Sequence, residues 1–395
     1  MDIYQEALAL SSYLTGLRRE FHRHPEVSRK EFWTAERIEA ELDAIGITEH
    51  QRVDGSGVFA VLRGEGKGDR VMALRADIDA LPIQELHPGL SYCSQQFGTM
   101  HACGHDGHIT CLLGGAKLLY AHRADFGGEV RFFFQHAEET GYGAARFMEL
   151  GVWKGAGRVF GLHMAPDLPV GTVGIKPGPN NASVDHFTIT LKGKAAHVST
   201  PHLGADTVYM AGQIIVGLQA IVTRLSSPVE PLLIGVGKVT AGDAYNIVAD
   251  HAVLEGTVRA MTPETRKLTQ ERLDALCVSV AGLCGGDAKV EWEDFAPPLL
   301  NPQDICKEAE ELVTALLGPK ALVTDRALSL AGDDFARFQE EIPGVYAYLG
   351  SANEAKPDTC RALHNEKFDL DESVLPMGAA LHAEYTLKYL SGEIG

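Results

Sequence analysis

Three short stretches, Val58-Phe-Ala-Val-Leu62, Val71-Met-Ala-Leu74 and Val130-Arg-Phe-Phe-Phe134, are apolar at nearly every position and bounded by glycine or charge. A strand that is apolar on both sides has to be covered on both faces, and an α/β sheet flanked by helices provides that cover. Helical spacing occurs where such a sheet needs it. Leu8, Leu14, Leu17 and Phe21 recur at helical intervals, Glu31 to Ala44 reads as a second helix, and Ile109 to Ala121 as a third. The strand Arg158 to Leu162 closes this pattern.

Pro166, Pro169, Gly171, Pro177, Gly178 and Pro179 then crowd into a helix-poor segment that reads as a boundary. Beyond it Val184-Asp-His-Phe-Thr-Ile-Thr-Leu191 alternates, and helices over 206–225 and 262–283 interleave with strands near 232–239, 246–259 and 289–292. Such a unit is α+β, a four-stranded antiparallel sheet with two helices over one face. After Pro297-Pro298 the first pattern resumes, with a helix over 304–317, the strand Val345 to Leu349 and a last helix over 372–390. The expected fold class is therefore α/β, with a central mixed, mostly parallel sheet flanked by helices. One discontinuous domain covers 1–182 and 297–395 and an inserted one covers 183–296, which suits a chain of 395 residues. No internal repeat occurs, and the glycines form no phosphate-binding fingerprint after a strand.

The formal net charge of -18 repels phosphate backbones and anionic membrane surfaces, so nucleic acid and membrane are not expected partners. The opening residues lack the basic and apolar regions of a signal peptide, and no apolar run approaches the roughly 20 residues of a membrane span. The cytoplasm is the expected location. Seven cysteines scattered over the chain are not a disulfide framework, and only Cys103 has metal-ligand company; Cys111, Cys277 and Cys284 read as core filler.

Polar residues just past the carboxyl ends of parallel strands meet in one crevice. Here Val71 to Leu74 runs into Arg75-Ala-Asp-Ile-Asp79, Val130 to Phe134 into Gln135-His-Ala-Glu-Glu139, and Arg158 to Leu162 into His163. His101-Ala-Cys-Gly-His-Asp-Gly-His108 adds three histidines, a cysteine and an aspartate within eight residues, the donor types that borderline-soft divalent ions select. Cys103 and His105 stand ahead of a helix expected to begin near Gly107. The pair Glu138-Glu139 reads either as two solvated loop carboxylates or, from its place at a strand end, as one metal ligand beside one general base.

These motifs, together with Gly161-Leu-His163, Gly193-Lys-Ala-Ala-His197 with Pro201-His202, and Leu363-His364, resemble over nearly the whole chain the amidohydrolase branch of the two-metal exopeptidase family. That branch includes aminoacylases, hippurate hydrolases and indole-acetyl-amino-acid hydrolases. The resemblance implies two divalent ions per subunit (Zn, Mn, Co or Ni), with Cys103 bridging them, His105 and His163 on either side, and Glu139 and His364 completing the shell. It makes Glu138 the general base, Asp79 the residue that orients a ligand histidine, and His197 the group that stabilises the oxyanion, usually in the partner subunit's site. It puts Arg259 and Asn246 near the substrate carboxylate. The implied reaction is metal-dependent hydrolysis of the amide bond of N-acyl amino acids. The discontinuous domain is then catalytic, the inserted one a lid and dimerisation domain, and the protein a homodimer or a dimer-based oligomer.

The chain departs from the family pattern at His136, at Met164-Ala165, at Asp333 and at Ile247-Val-Ala249, none of them an implied ligand. A dipeptidase or carboxypeptidase of the same family is the nearest alternative, and cysteine at the bridging position favours the amidohydrolase branch, since the peptidase branches carry Asp there. A non-catalytic metal protein is the rival from another class. Glu138 argues against it, because a closed structural site needs no spare carboxylate.

Overall fold

Phe132, Phe133 and Phe134 are all fully buried, as an apolar run at the centre of a doubly covered sheet must be. In the computed structural model, which describes residues 2–87 and 89–395, they belong to an eight-stranded mixed sheet. Its order is His50–Val53, Gly57–Arg63, Glu129–Gln135, Val71–Asp77, Arg158–Pro169, Gly344–Ala352, Val173–Gly174 and Leu322–Val323. The four strands from Glu129–Gln135 to Gly344–Ala352 run parallel to one another, and Gly57–Arg63 joins antiparallel. Phe132 and Phe134 enter one core with Leu74, Leu162, Leu349 and the helices His105–Ala121 and Leu375–Ser391. Phe133 points to the other face, against Phe147 of the helix Gly143–Leu150 and Phe338 of Phe335–Gln339. The apolar runs are thus strands covered on both sides, and the fold is α/β as expected.

The chain packs as two units. One comprises Met1–Gly178, Leu300–Ala327 and Asp333–Gly395, the other Pro179–Leu299 and Leu328–Gly332. The expected divisions at 182/183 and 296/297 lie close to these crossings, but Leu328–Gly332 stands with the second unit rather than the first. Its Ser329 N–H donates to the Asn180 carbonyl at 3.0 Å, and the Ala182 N–H to the Ser329 carbonyl at 3.1 Å. Within the first unit the opening stretch is two helices rather than one, Ile3–Ala9 and Ser11–Arg23, separated at Leu10.

The second unit is a four-stranded antiparallel sheet in the order Leu232–Ala241, His251–Ala260, Val184–Lys192, Asp287–Ala296. Phe187, Ile189 and Leu191 alternate inward onto Met210, Ile214 and Leu218 of the helix Thr207–Ala220 and onto Leu273 and Cys277 of Pro263–Leu283. One expectation needs correcting here. Thr207–Leu225 is long and apolar enough to cross a membrane by length and composition, because its buried face fills this core while Val208, Tyr209 and Val216 are apolar on the outside.

Candidate metal centre

The motif residues enter the site from strand ends and from a helix start. Val71–Asp77 ends on Asp77, with Asp79 two residues on; Glu129–Gln135 leads into the one-turn helix Glu138–Thr140; and His163 lies in the long strand Arg158–Pro169. The helix His105–Ala121 begins at His105 itself, two residues earlier than expected. Gly104 makes this start possible. It sits at φ +89°, and a Cβ there would lie 3.0 Å from the Met164 side chain.

Cys103 Sγ lies 3.6 Å from His163 Nε2, and donor atoms of Cys103, His105 and His163 all fall within 4.8 Å of one another. Cys103, Glu139 and His364 form a second such group around the same thiol, with His364 Nε2 3.3 Å from Glu139 Oε1. His105, Glu138 and Glu139 form a third. Both rings thus share one group with the thiol.

The histidines are oriented through their far nitrogens. His105 Nδ1 lies 2.9 Å from the Asp79 backbone carbonyl and 3.3 Å from Asp79 Oδ1, and His163 Nδ1 lies 2.7 Å from the Met164 carbonyl. Each ring thereby turns Nε2 toward the thiol, the usual arrangement of a metal-binding histidine. His105 Nε2 is buried without a hydrogen-bond partner among the described residues. His108, by contrast, is spent within the protein: Nδ1 is 2.5 Å from Asp77 Oδ1, and Nε2 accepts the Met164 N–H at 2.8 Å. His101 is buried, and neither of its ring nitrogens meets a hydrogen-bond partner among the described residues.

The electrostatics are those of a pocket short of positive charge. Burial, then Glu139, Glu138, Asp77 and Asp333, push the Cys103 thiol well above its ordinary value. Burial works against a charged His105, yet Asp77, Asp79 and Glu139 hold it up to about 10. Burial and the carboxylates Asp333, Glu139, Asp334 and Asp77 push the Glu138 carboxyl well above its usual range. A divalent cation reverses each of these tendencies by favouring thiolate, neutral imidazole and carboxylate. The unpartnered His105 nitrogen and the mixed sulfur, nitrogen and oxygen donors fit such an ion.

Arg75, which has no assigned role in the sequence reading, organises the floor of the site. Its guanidinium is fully buried and donates to Gln135 Oε1 at 2.9 Å, Asp77 Oδ2 at 2.6 Å and Asp334 Oδ1 at 2.8 Å, with Asp333 at 3.2 Å. The departure at Asp333 is thus a buried carboxylate, taking the Tyr346 hydroxyl at 2.5 Å. Burial lifts the His136 side chain's preference for neutrality, and its ring packs by Tyr142 and Phe147 rather than in the donor groups.

The other three expected residues lie in the second unit. His197 pairs across the short ladder with Ile247, next to Asn246, and its Nδ1 accepts the Ser199 N–H at 3.1 Å. Arg259 is half-buried on the strand His251–Ala260, meeting no carboxylate within 4.0 Å among the described residues. Burial holds its guanidinium below its ordinary value.

A thiol, imidazoles and carboxylates gathered beyond the ends of parallel strands and at a helix start define a metal-dependent hydrolase. More particularly, the chain belongs to the peptidase family M20/M25/M40, whose model matches residues 73–388. It is 41% identical over 366 residues to an N-acetyl-L-cysteine deacetylase of Bacillus subtilis (strain 168), covering 93% of this chain and 85% of that protein. It is 36% identical over 384 residues to the IAA-amino acid hydrolase ILR1-like 2 of Arabidopsis thaliana, covering 96% and 85%. Among solved structures, a dinuclear metal-binding peptidase of the M20 family from Bacillus subtilis superposes with a TM-score of 0.84 at 37% identity, covering 97% of this chain and 99% of that one.

Proposed function

We propose that this chain is an amidohydrolase that uses two divalent ions to cleave the amide bond of N-acyl amino acids, releasing a carboxylic acid and a free amino acid. What carries the reading is the convergence of Cys103, His105, His163, Glu139 and His364, with Glu138 beside them. The names of the relatives support the substrate class: one acts on an N-acetyl amino acid and another on IAA-amino acids. The dinuclear metal in a solved relative supports two ions, and Zn, Mn, Co or Ni all suit these donors.

Those five side chains would hold the ions. Bound there, divalent ions supply Lewis-acid polarisation of the amide carbonyl and of the attacking water. Glu138 takes the proton from that water and hands it to the departing amine nitrogen. Asp79 fixes the His105 ring through its carbonyl and carboxylate. His197 stabilises the carbonyl oxygen as it gains charge. Arg259, whose guanidinium meets no carboxylate within 4.0 Å among the described residues, pairs with the substrate carboxylate, and Asn246 assists.

The second unit is a lid and dimerisation domain, and the partner is a second copy of this chain. Support comes from the helix Thr207–Ala220, whose outer face shows Val208, Tyr209 and Val216, the last 72% exposed, beside the edge strand Leu232–Ala241. A reducing cytoplasm suits seven cysteines that are all free thiols.

The test is a panel of N-acyl amino acids, dipeptides and carboxypeptidase substrates offered to the metal-loaded protein with and without chelator. N-acyl amino acids should be cleaved best, and chelator should abolish turnover. Turnover of the peptides alone would replace this reading with the peptidase one.

A further inference from the structure

The turn that carries Glu138 and Glu139 begins at Ala137, whose φ of +53° and ψ of +41° place a non-glycine residue in the left-handed region. That conformation is unfavourable for alanine and persists only when its surroundings hold it. Two carboxylates do the holding. Glu31 Oε1 accepts the Ala137 N–H at 2.7 Å, and Asp79 Oδ2 accepts the Glu139 N–H at 3.0 Å. Asp79 is itself fixed by the Ser28 hydroxyl at 2.7 Å. Downstream, the Ala137 carbonyl accepts the Tyr142 N–H at 3.2 Å, and Gly143 passes so close that a Cβ there would lie 1.6 Å from the His136 carbonyl oxygen.

Glu31 is fully buried, and its own helix does not use its side chain. It occupies the N-cap position of Phe32–Ile45 without capping it; the free N–H groups of Trp33 and Thr34 donate instead to the Glu26 carboxylate, at 3.2 and 2.8 Å. A carboxyl kept out of water at a helix start, while a neighbour five residues earlier does the capping, is directed at something else. Its Oε1 takes the Ala137 amide, the one of these contacts made outside its own segment; the backbone N–H groups of Arg29 and Glu31 also favour the carboxylate, and Oε2 meets no close partner among the described residues. The segment carrying it is itself pinned to the strand end, since the Ala80 N–H donates to the Glu26 carbonyl at 2.8 Å.

We propose that Glu31 is a positioning residue: by accepting the Ala137 N–H it holds the left-handed turn that sets Glu138 and Glu139 at the metal centre. The inference rests on the roles proposed above for those two carboxylates. What the turn needs from residue 31 is an acceptor oxygen at the right reach, not a charge. A glutamine supplies that oxygen, an aspartate is one methylene short, and an alanine supplies nothing.

The test compares Glu31→Gln, Glu31→Asp and Glu31→Ala with the unaltered chain, reading Co2+ affinity from the cobalt–thiolate absorption and kcat and KM on an N-acetyl amino acid. Glu31→Ala and Glu31→Asp should each lose roughly 10–100-fold in Co2+ affinity or kcat, the range of changes behind a ligand shell, with KM moving less than about threefold. Glu31→Gln should stay within about threefold of the parent in both. Thermal unfolding identifies variants that fail to fold; if Glu31→Ala does, the Gln and Asp pair decides. Parental affinity and kcat in folded Glu31→Asp or Glu31→Ala overturns the proposal, and so does a Glu31→Gln as damaged as they are. If the unaltered protein cleaves no N-acyl amino acid, the proposed function fails, while the Co2+ measurements still judge Glu31.

Discussion

Replacing Arg75 by methionine removes the guanidinium that joins three buried carboxylates, Asp77, Asp333 and Asp334. Stripping the cation from a buried ion pair costs about 3–5 kcal/mol, because the charge left behind stays out of water. Here it also leaves Gln135 Oε1 without its donor. The loss should depend on pH. Burial raises the Asp334 carboxyl, Arg75 opposes and Asp333 adds, leaving it at about 7. Its folded value lies above its unfolded one, so its protonated form stabilises the fold at low pH and that contribution fades as pH rises to about 7. Without Arg75 the folded value climbs further, and the fading continues above pH 7. The deficit of Arg75→Met should therefore be larger at pH 8 than at pH 6 by roughly 1 kcal/mol, since one pKa unit corresponds to about 1.4 kcal/mol. Urea unfolding of the chelator-treated proteins at both pH values measures this, with Arg75→Lys expected to fall between parent and Met. A deficit under about 1 kcal/mol at pH 8, no more than an ordinary substitution, or one that shrinks as pH rises, refutes the reasoning.

Cys103→Ser should weaken divalent-metal binding by more than the roughly 10–100-fold of a change behind the ligand shell, read by chelator competition; an unchanged affinity removes the thiolate from the site. Burial alone would raise Glu85, but His22 and the Ser94 N–H hold it at about 2. The stability this gives is present above the unfolded value and lost as pH falls toward 2, so Glu85→Gln should be less stable than the parent at pH 6 and converge with it near pH 2. Parallel urea-midpoint profiles over that range contradict the assignment.

What the sequence made legible follows from the range of each interaction. The strands announce themselves because burial on both faces demands unbroken apolar runs, Cys103 and His105 by the density of donor side chains in one short run, and Glu139 and His163 by their place at strand ends, whereas His364 was indicated only by the family resemblance. Arg75 and Asp77 were visible as residues of a motif, but their partners Asp333 and Asp334 lie more than 250 positions along the chain, where no local pattern links them. Glu31 gave no signal, since its partner is a backbone amide 106 residues away. The start of the helix at His105 was hidden for a different reason: it depends on the left-handed φ of Gly104, which apolar periodicity does not register. The pairing of Leu328–Gly332 with the second unit, through backbone hydrogen bonds to Asn180 and Ala182, leaves no trace in composition.

The central claim is that Glu138 serves as the base of a two-metal amidohydrolase without itself being needed to hold metal. Metal content and turnover of Glu138→Gln, measured on the same sample, test it most directly. The account predicts two divalent ions per chain, as in the parent, with turnover of an N-acetyl amino acid down by roughly 10²–10⁴-fold. Two bound ions with near-parental turnover would contradict it.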